Sequence, residues 1–224
     1  MSHTDSASLI NTIIIKIILH TYLFLSSVSF NQKERDTPCI KLSKNMLTEE
    51  TLKGSYSEGK ALSLCEEVRK SSDFYTFCKT FMHSSDYQVT RNMLCTLTKT
   101  TEEEHRQLQP LLHPLIELAM ATENSSVRRL ALSNIERLKI GEDDLRSDFL
   151  DFCLDNMHDV NELPGIQSVA MKLAYRMCLF YPELMEEMMR VLDSMEMEFY
   201  KPAVKSVRNR ILKGKLLRRK YYKR

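Results

Sequence analysis

The chain has 224 residues, 43% of them hydrophobic and 28% charged, with 32 basic residues against 30 acidic ones for a net charge of +2. Only 5 Gly and 6 Pro leave too little turn chemistry for a hairpin-rich β fold, and 13 Met residues suit irregular helix–helix cores. That length holds one sizeable core or a short repeat array, and nothing in it demands two unrelated domains.

Residues 1–45 form an apolar N-terminal extension, with a run from Leu9 to Phe30 interrupted by Lys16 and His20. Three readings fit it. A signal peptide or a membrane anchor would explain the apolar run, but no Lys or Arg precedes it as a positive n-region. A misassigned start, with Met46 as the true first residue, would explain its Ile-, Asn-, Lys- and Tyr-rich composition. The six cysteines contain no CxxC pair, and Cys78, Cys95, Cys153 and Cys178 fall among apolar residues. They read as buried small hydrophobes in a reducing compartment, so the expected location is cytoplasmic and a membrane enters only if residues 9–30 are a real anchor.

From Met46 the chain reads as soluble helix, starting with a leading helix near 48–69 behind the capping sequence Thr48-Glu49-Glu50. Four amphipathic first helices follow, at about 72–83, 108–122, 144–158 and 182–197. After each comes a copy of one pattern. Val89-Thr90-Arg91-Asn92-Met93-Leu94 sits 38 residues before Val127-Arg128-Arg129-Leu130-Ala131-Leu132, and that sits 39 before Ile166-Gln167-Ser168-Val169-Ala170-Met171. A looser copy begins at Ala203-Val204. Apolar residues at i, i+4, i+5 and i+8 give each copy one buried helical face. Breakers at Ser84-Ser85-Asp86, Glu123-Asn124-Ser125, Leu163-Pro164-Gly165 and Lys201-Pro202 divide first helices from second.

The stretch Asn124-Ser125-Ser126-Val127-Arg128-Arg129-Leu130-Ala131-Leu132 resembles the start of a second helix in the HEAT/armadillo family of α-solenoids. The resemblance spans roughly residues 72–213. It implies an all-α fold, a solenoid of about four HEAT-like helix pairs over 46–213, closed by a basic tail at 214–224. It also implies that second helices line a concave groove. A four-helix bundle is the alternative fold.

Charge divides between the two helices of each pair. The second-helix segments 86–99, 126–139, 164–178 and 200–213 carry +1, +3, +2 and +5, whereas the first-helix segments 73–82, 108–123, 143–159 and 182–198 carry 0, −2, −5 and −5. With second helices in the groove, the candidate binding residues are Arg91, Arg128, Arg129, Lys172, Tyr175, Arg176, Lys205 and Arg208. Charge pairing across the stack is the competing account of the same pattern, Arg128 can simply hydrogen-bond within its repeat, and Tyr175 can equally be a core residue with its hydroxyl at the rim. In the tail, Lys215, Arg218, Arg219 and Lys220 interleave with Tyr221 and Tyr222 in a composition able to hold phosphates.

No catalytic constellation emerges. The five glycines are scattered, which excludes P-loop and Rossmann phosphate cradles, and the six histidines form no ligand pair at helical spacing. No metal or cofactor is therefore expected. Glu102-Glu103-Glu104-His105 reads as a solvated acidic loop, and His113 as a partly exposed histidine. Alkylation-repair DNA glycosylases are also built from HEAT-like repeats, but this chain has no Trp and its Asp residues crowd the first helices. The expected function is a non-enzymatic helical-repeat scaffold whose basic groove takes an acidic protein segment. Nucleic-acid binding by a non-catalytic relative of those glycosylases is the alternative.

Overall fold

The computed structural model describes residues 47–53 and 57–216. The extension 1–45 and the tail residues Arg218, Arg219 and Lys220 lie outside the described residues. Among these there is no strand, and no helix is long and apolar enough to cross a membrane.

The helix expected near 48–69 is two pieces, α1 (Glu49–Leu52) and α2 (Glu58–Ser71). Lys53 turns to extended backbone and ends α1, and α2 starts afresh where Ser57 Oγ accepts from the Lys60 N–H at 3.2 Å. Four pairs follow: α3 (Phe74–Phe81) with α4 (Tyr87–Leu97), α6 (Leu112–Ala121) with α7 (Ser125–Ile135), α8 (Ser147–His158) with α9 (Pro164–Cys178), and α10 (Pro182–Ser194) with α11 (Pro202–Leu212). The short α5 (Glu102–His105) and a 3-10 segment at Arg106–Leu111 lead into α6. The expected helix 108–122 is 3-10 over its first turn for a steric reason. Pro114 has no N–H for the carbonyl of Pro110, and its ring collides with that carbonyl in α geometry.

Two capping chemistries set the turns. In the first half of the chain, Asp73, Asp86 and Asn124 cap α3, α4 and α7; Asn124 Oδ1 accepts from the Ser126 and Val127 N–H groups at 3.0 and 3.1 Å. In the second half, α9, α10 and α11 each begin on a proline, which supplies helical φ and removes one orphan donor. Asn124→Ala is accordingly expected to cost about 1 kcal/mol, measured as a shift in the urea midpoint at unchanged m-value.

The repeated pattern is the buried face. Val89, Met93, Leu94 and Leu97 in α4, Val127, Ala131, Leu132 and Ile135 in α7, and Ile166, Ala170, Met171 and Ala174 in α9 are all buried. In α11 only Val204 and the half-buried Leu212 keep the pattern, because Arg208 and Asn209 occupy the i+4 and i+5 positions. Among the described residues α11 has a neighbouring pair on one side only, so less of it must be apolar.

Each first helix packs on its own second helix, while the second helices also stack in order, α2 on α4, α4 on α7, α7 on α9, and α9 on α11. Among the first helices, α6 packs on α8. Neighbour-to-neighbour packing of this kind belongs to a solenoid rather than a four-helix bundle, and one apolar core runs unbroken from Leu52 to Leu216. The stack ends at Gly214, whose φ of 59° lies in the left-handed region. Its N–H donates to the Ile211 carbonyl, and the Lys215 N–H donates to that of Arg210, both at 2.8 Å, so the last carbonyls of α11 are satisfied by a Schellman turn.

Candidate partner-binding surface

Second helices carry basic residues near their C-termini at one repeat position, ten residues after Val89, Val127 and Ile166: Lys99, Arg137 and Arg176. All three reach back one pair. Lys99 Nζ meets Glu58 at 2.6 Å. Arg137 donates to the carbonyls of Leu97 and Thr100 at 3.1 and 2.7 Å, at the end of α4 and just past it. Arg176 donates to those of Glu136 and Leu138 at 2.8 and 2.7 Å, beyond the end of α7. Helix C-termini present unpaired carbonyls and partial negative charge, so a guanidinium from the next pair satisfies both at once.

The candidate groove residues therefore divide. Tyr175 and Arg176, expected on an open groove, are buried at 7% and 8% exposure. Burial also pushes the Tyr175 phenol above its ordinary value. Arg128 donates to the Thr122 carbonyl of its own repeat at 2.7 Å, pairs with Glu162 at 3.3 Å, and lies 5.8 Å from the Phe152 ring centroid. Arg208 occupies a core-side position, and its Nε donates to the Leu192 carbonyl at the end of α10. Lys205 is half-buried, and Lys215 is exposed just past the Schellman turn. Much of the positive charge counted on second helices thus serves joints within the stack.

What remains is a stripe opposite the buried face, at the positions two and six residues after the start of each copy. The first position holds Arg91, Arg129, Ser168 and Ser206; the second holds Cys95, Ser133, Lys172 and Arg210. Neither position is acidic in any copy. Arg129 is exposed and has no side-chain partner among the described residues, Arg91 is half-exposed and donates to Asn92 Oδ1 at 2.8 Å, Arg210 is half-exposed, Lys172 pairs with Glu136 at 2.9 Å, and Ser168 is buried. Arg210, absent from the expected groove residues, belongs to this face by the same helical spacing as Lys172.

Sequence reasoning also missed a buried joint. Glu102–His105 is no solvated loop: Thr101 and Glu104 form a capping box, and Glu104 takes a two-pronged ion pair from Arg69 of α2. That contact holds the Glu104 carboxyl down at about 2. His105, 2% exposed, lies between Thr100 Oγ1 at 3.0 Å and the Asn134 carbonyl at 2.9 Å. Burial, reinforced by the Arg137 cation, lowers its pKa to about 4, so it is neutral, with Nε2–H donating to Asn134. Asn134 in turn donates to the Leu94 carbonyl at 3.1 Å, tying α7 to α4. The signal was present in the sequence, since a Thr-x-x-Glu capping box begins a helix.

Cys78, Cys153 and Cys178 are buried thiols whose pKa values burial pushes up, to about 12 for Cys78 and Cys178. Among the described residues no group of three or more His, Cys, Asp or Glu side chains is placed to hold a metal ion. His113 is half-exposed and lies 3.6 Å from Asp144.

No curated protein and no solved structure matches the chain. A family model does: the HEAT repeat domain matches residues 48–215, well over half of the chain and the span of the stacked pairs described above. The chain therefore belongs to the HEAT repeat family.

Proposed function

We propose that this HEAT repeat protein is a non-catalytic scaffold that takes an acidic protein segment along the basic stripe of its second helices. One observation carries the reading: across four copies, the two stripe positions hold Arg91, Arg129, Lys172 and Arg210 with four small residues between them and no acid. The small residues Cys95, Ser133 and Ser206, half-exposed or exposed, let a chain approach the helix backbone, while the cations attract and orient carboxylates. The acidic first helices repel the same segment from the other layer, which restricts it to this face. An extended peptide laid across the stripe meets one arginine or lysine per pair, so its affinity comes from several modest contacts.

The test is the double charge reversal Arg91→Glu/Arg210→Glu at two half-exposed positions, with circular dichroism checking that losing the Arg91 bond to Asn92 leaves the fold intact. Binding of a fluorescein-labelled peptide of alternating Glu and Leu is expected to weaken at least about ten-fold, with the association rate falling most. Unchanged anisotropy titrations would remove the proposal. Tighter, steeply salt-dependent binding of a single-stranded or duplex oligonucleotide than of the peptide would replace it with nucleic-acid binding.

A further inference from the structure

The two helices of the last pair meet the end of the stack differently. Positions buried in α7, Leu132 and Ile135, correspond in α11 to Asn209 and Leu212, of which Asn209 is exposed and Leu212 only half-buried. α11 has exchanged an apolar position for a polar one, as a terminal repeat requires. α10 has not. Its apolar arc is broad, with Met188 and Leu192 buried at the centre, Leu184 and Val191 half-buried on one flank, and Met185 and Met189 half-buried on the other. The equivalent first helix shows which flank is which. On α8, Phe152 lies one residue before the buried Cys153 and faces the preceding pair, where Arg128 of α7 stands 5.8 Å from its ring centroid. The matching residue of α10, one before the buried Leu192, is Val191. Met185 and Met189 therefore lie on the flank turned towards the end of the stack, where no further helix follows among the described residues.

The chain leaves α11 beside that flank. α10 and α11 are packed neighbours joined by residues 195–201, so the end of α11 returns to the start of α10. The Schellman turn at Gly214 then reverses the chain and puts Leu216, 0% exposed, into the common core. Residues 217–224, outside the described residues, thus set out from the core and not from solvent. Their composition complements α10. Arg218, Arg219, Lys220, Lys223 and Arg224 give +5 with no acid, whereas 182–198 carries −5. Glu183 is exposed with no side-chain partner among the described residues, and Glu186 and Glu187 share Arg190 at 3.6 and 2.5 Å. Leu217 and Tyr221 are four residues apart, as Met185 and Met189 are. The length also suffices, since the segment 217–224 reaches about 26 Å when extended, against about 20 Å for α10.

We infer that residues 217–224 are an end cap of the stack, lying in cis along α10 with Leu217 and Tyr221 on Met185 and Met189 and the tail cations among Glu183, Glu186 and Glu187. The apolar contact holds the segment, because unbranched thioethers adapt to both a leucine and an aromatic ring. Exposed ion pairs contribute little to stability, so the cations chiefly choose which face the segment covers. The cap goes beyond the peptide-binding reading and does not depend on it, since the stripe lies on second helices. It also gives the basic tail a role within the protein, with its cations set against carboxylates of the same chain.

The experiment uses the full chain labelled with carbon-13 at its methionine ε-methyl groups. Leu217→Ser/Tyr221→Ser is expected to shift the Met185 and Met189 resonances while leaving that of Met93, buried in α4, in place. The same variant should raise the unfolding equilibrium constant about ten-fold in urea. Arg218→Glu/Arg219→Glu should move the same two methyls and lower the urea midpoint, and adding Glu183→Arg/Glu186→Arg should restore at least about half of that loss. Methyl resonances and a midpoint that stay at wild-type values in Leu217→Ser/Tyr221→Ser overturn the cap. Wild-type Met185 and Met189 shifts that move to the variant values on about a hundred-fold dilution, with a dimer in sedimentation, place the tail on α10 of a second copy and overturn the cis arrangement.

Discussion

Replacing Arg176 by alanine is expected to destabilise the protein by about 3 to 4 kcal/mol. The side chain is 8% exposed and donates to the carbonyls of Glu136 and Leu138 from the pair before it. Truncation removes two charge-assisted hydrogen bonds, leaves carbonyls buried, and empties the volume of the aliphatic stem. Arg176→Lys keeps the charge but has no planar fork to reach two carbonyls, so about half of the loss is expected. Arg137→Ala, at the same position one pair earlier, should lose less, because Arg137 is half-exposed and water can take its place. Urea unfolding followed by circular dichroism measures all three. A loss below about 1 kcal/mol for Arg176→Ala would mean that the stack relaxes around the gap.

Acid is expected to loosen the joint between α4 and α7 before it affects exposed carboxylates. His105 has a folded pKa of about 4, below its ordinary 6.5. The native state therefore favours the neutral ring, and this contribution is complete above 6.5 and lost as pH falls from 6.5 through 4. Its size is about 3 kcal/mol. Once protonated, the ring is a buried cation beside Arg137, and its Nδ1 can no longer accept from Thr100. Glu104 acts in a lower window. Its carboxyl, held near 2 by Arg69, gives stability that is complete above 4.5 and lost as pH falls towards 2. His105→Gln keeps a donor for the Asn134 carbonyl and cannot titrate, so its unfolding free energy should be nearly flat between pH 6.5 and 4.5. A slope equal to that of the wild type would assign the acid sensitivity to other groups.

These two joints also show how far one-dimensional reading reaches. Helix pairs, breakers and the buried faces of α4, α7 and α9 were legible because a helix must place apolar residues at a fixed spacing and stacked repeats must do so at a fixed period. The break between α1 and α2 and the 3-10 start of α6 were not, since they follow from a cap at Ser57 and from a steric clash between two prolines. The Lys99, Arg137 and Arg176 series is periodic too, but period alone cannot say whether a cation faces solvent or the carbonyl end of the preceding helix.

The sequence by itself determined the all-helical class, the four pairs and which residues are basic, because propensity, periodicity and composition are properties of short segments. Only the tertiary structure decided which of those charges are bound into joints of the stack. A side chain of Arg176's length reaches past its own helix, and whether it meets water or a buried carbonyl depends on how the next pair is stacked, 40 residues away in the chain. Tertiary packing likewise put the Arg129 stem against Gly165 and paired Arg128 with Glu162, contacts that exist only once α7 and α9 are side by side.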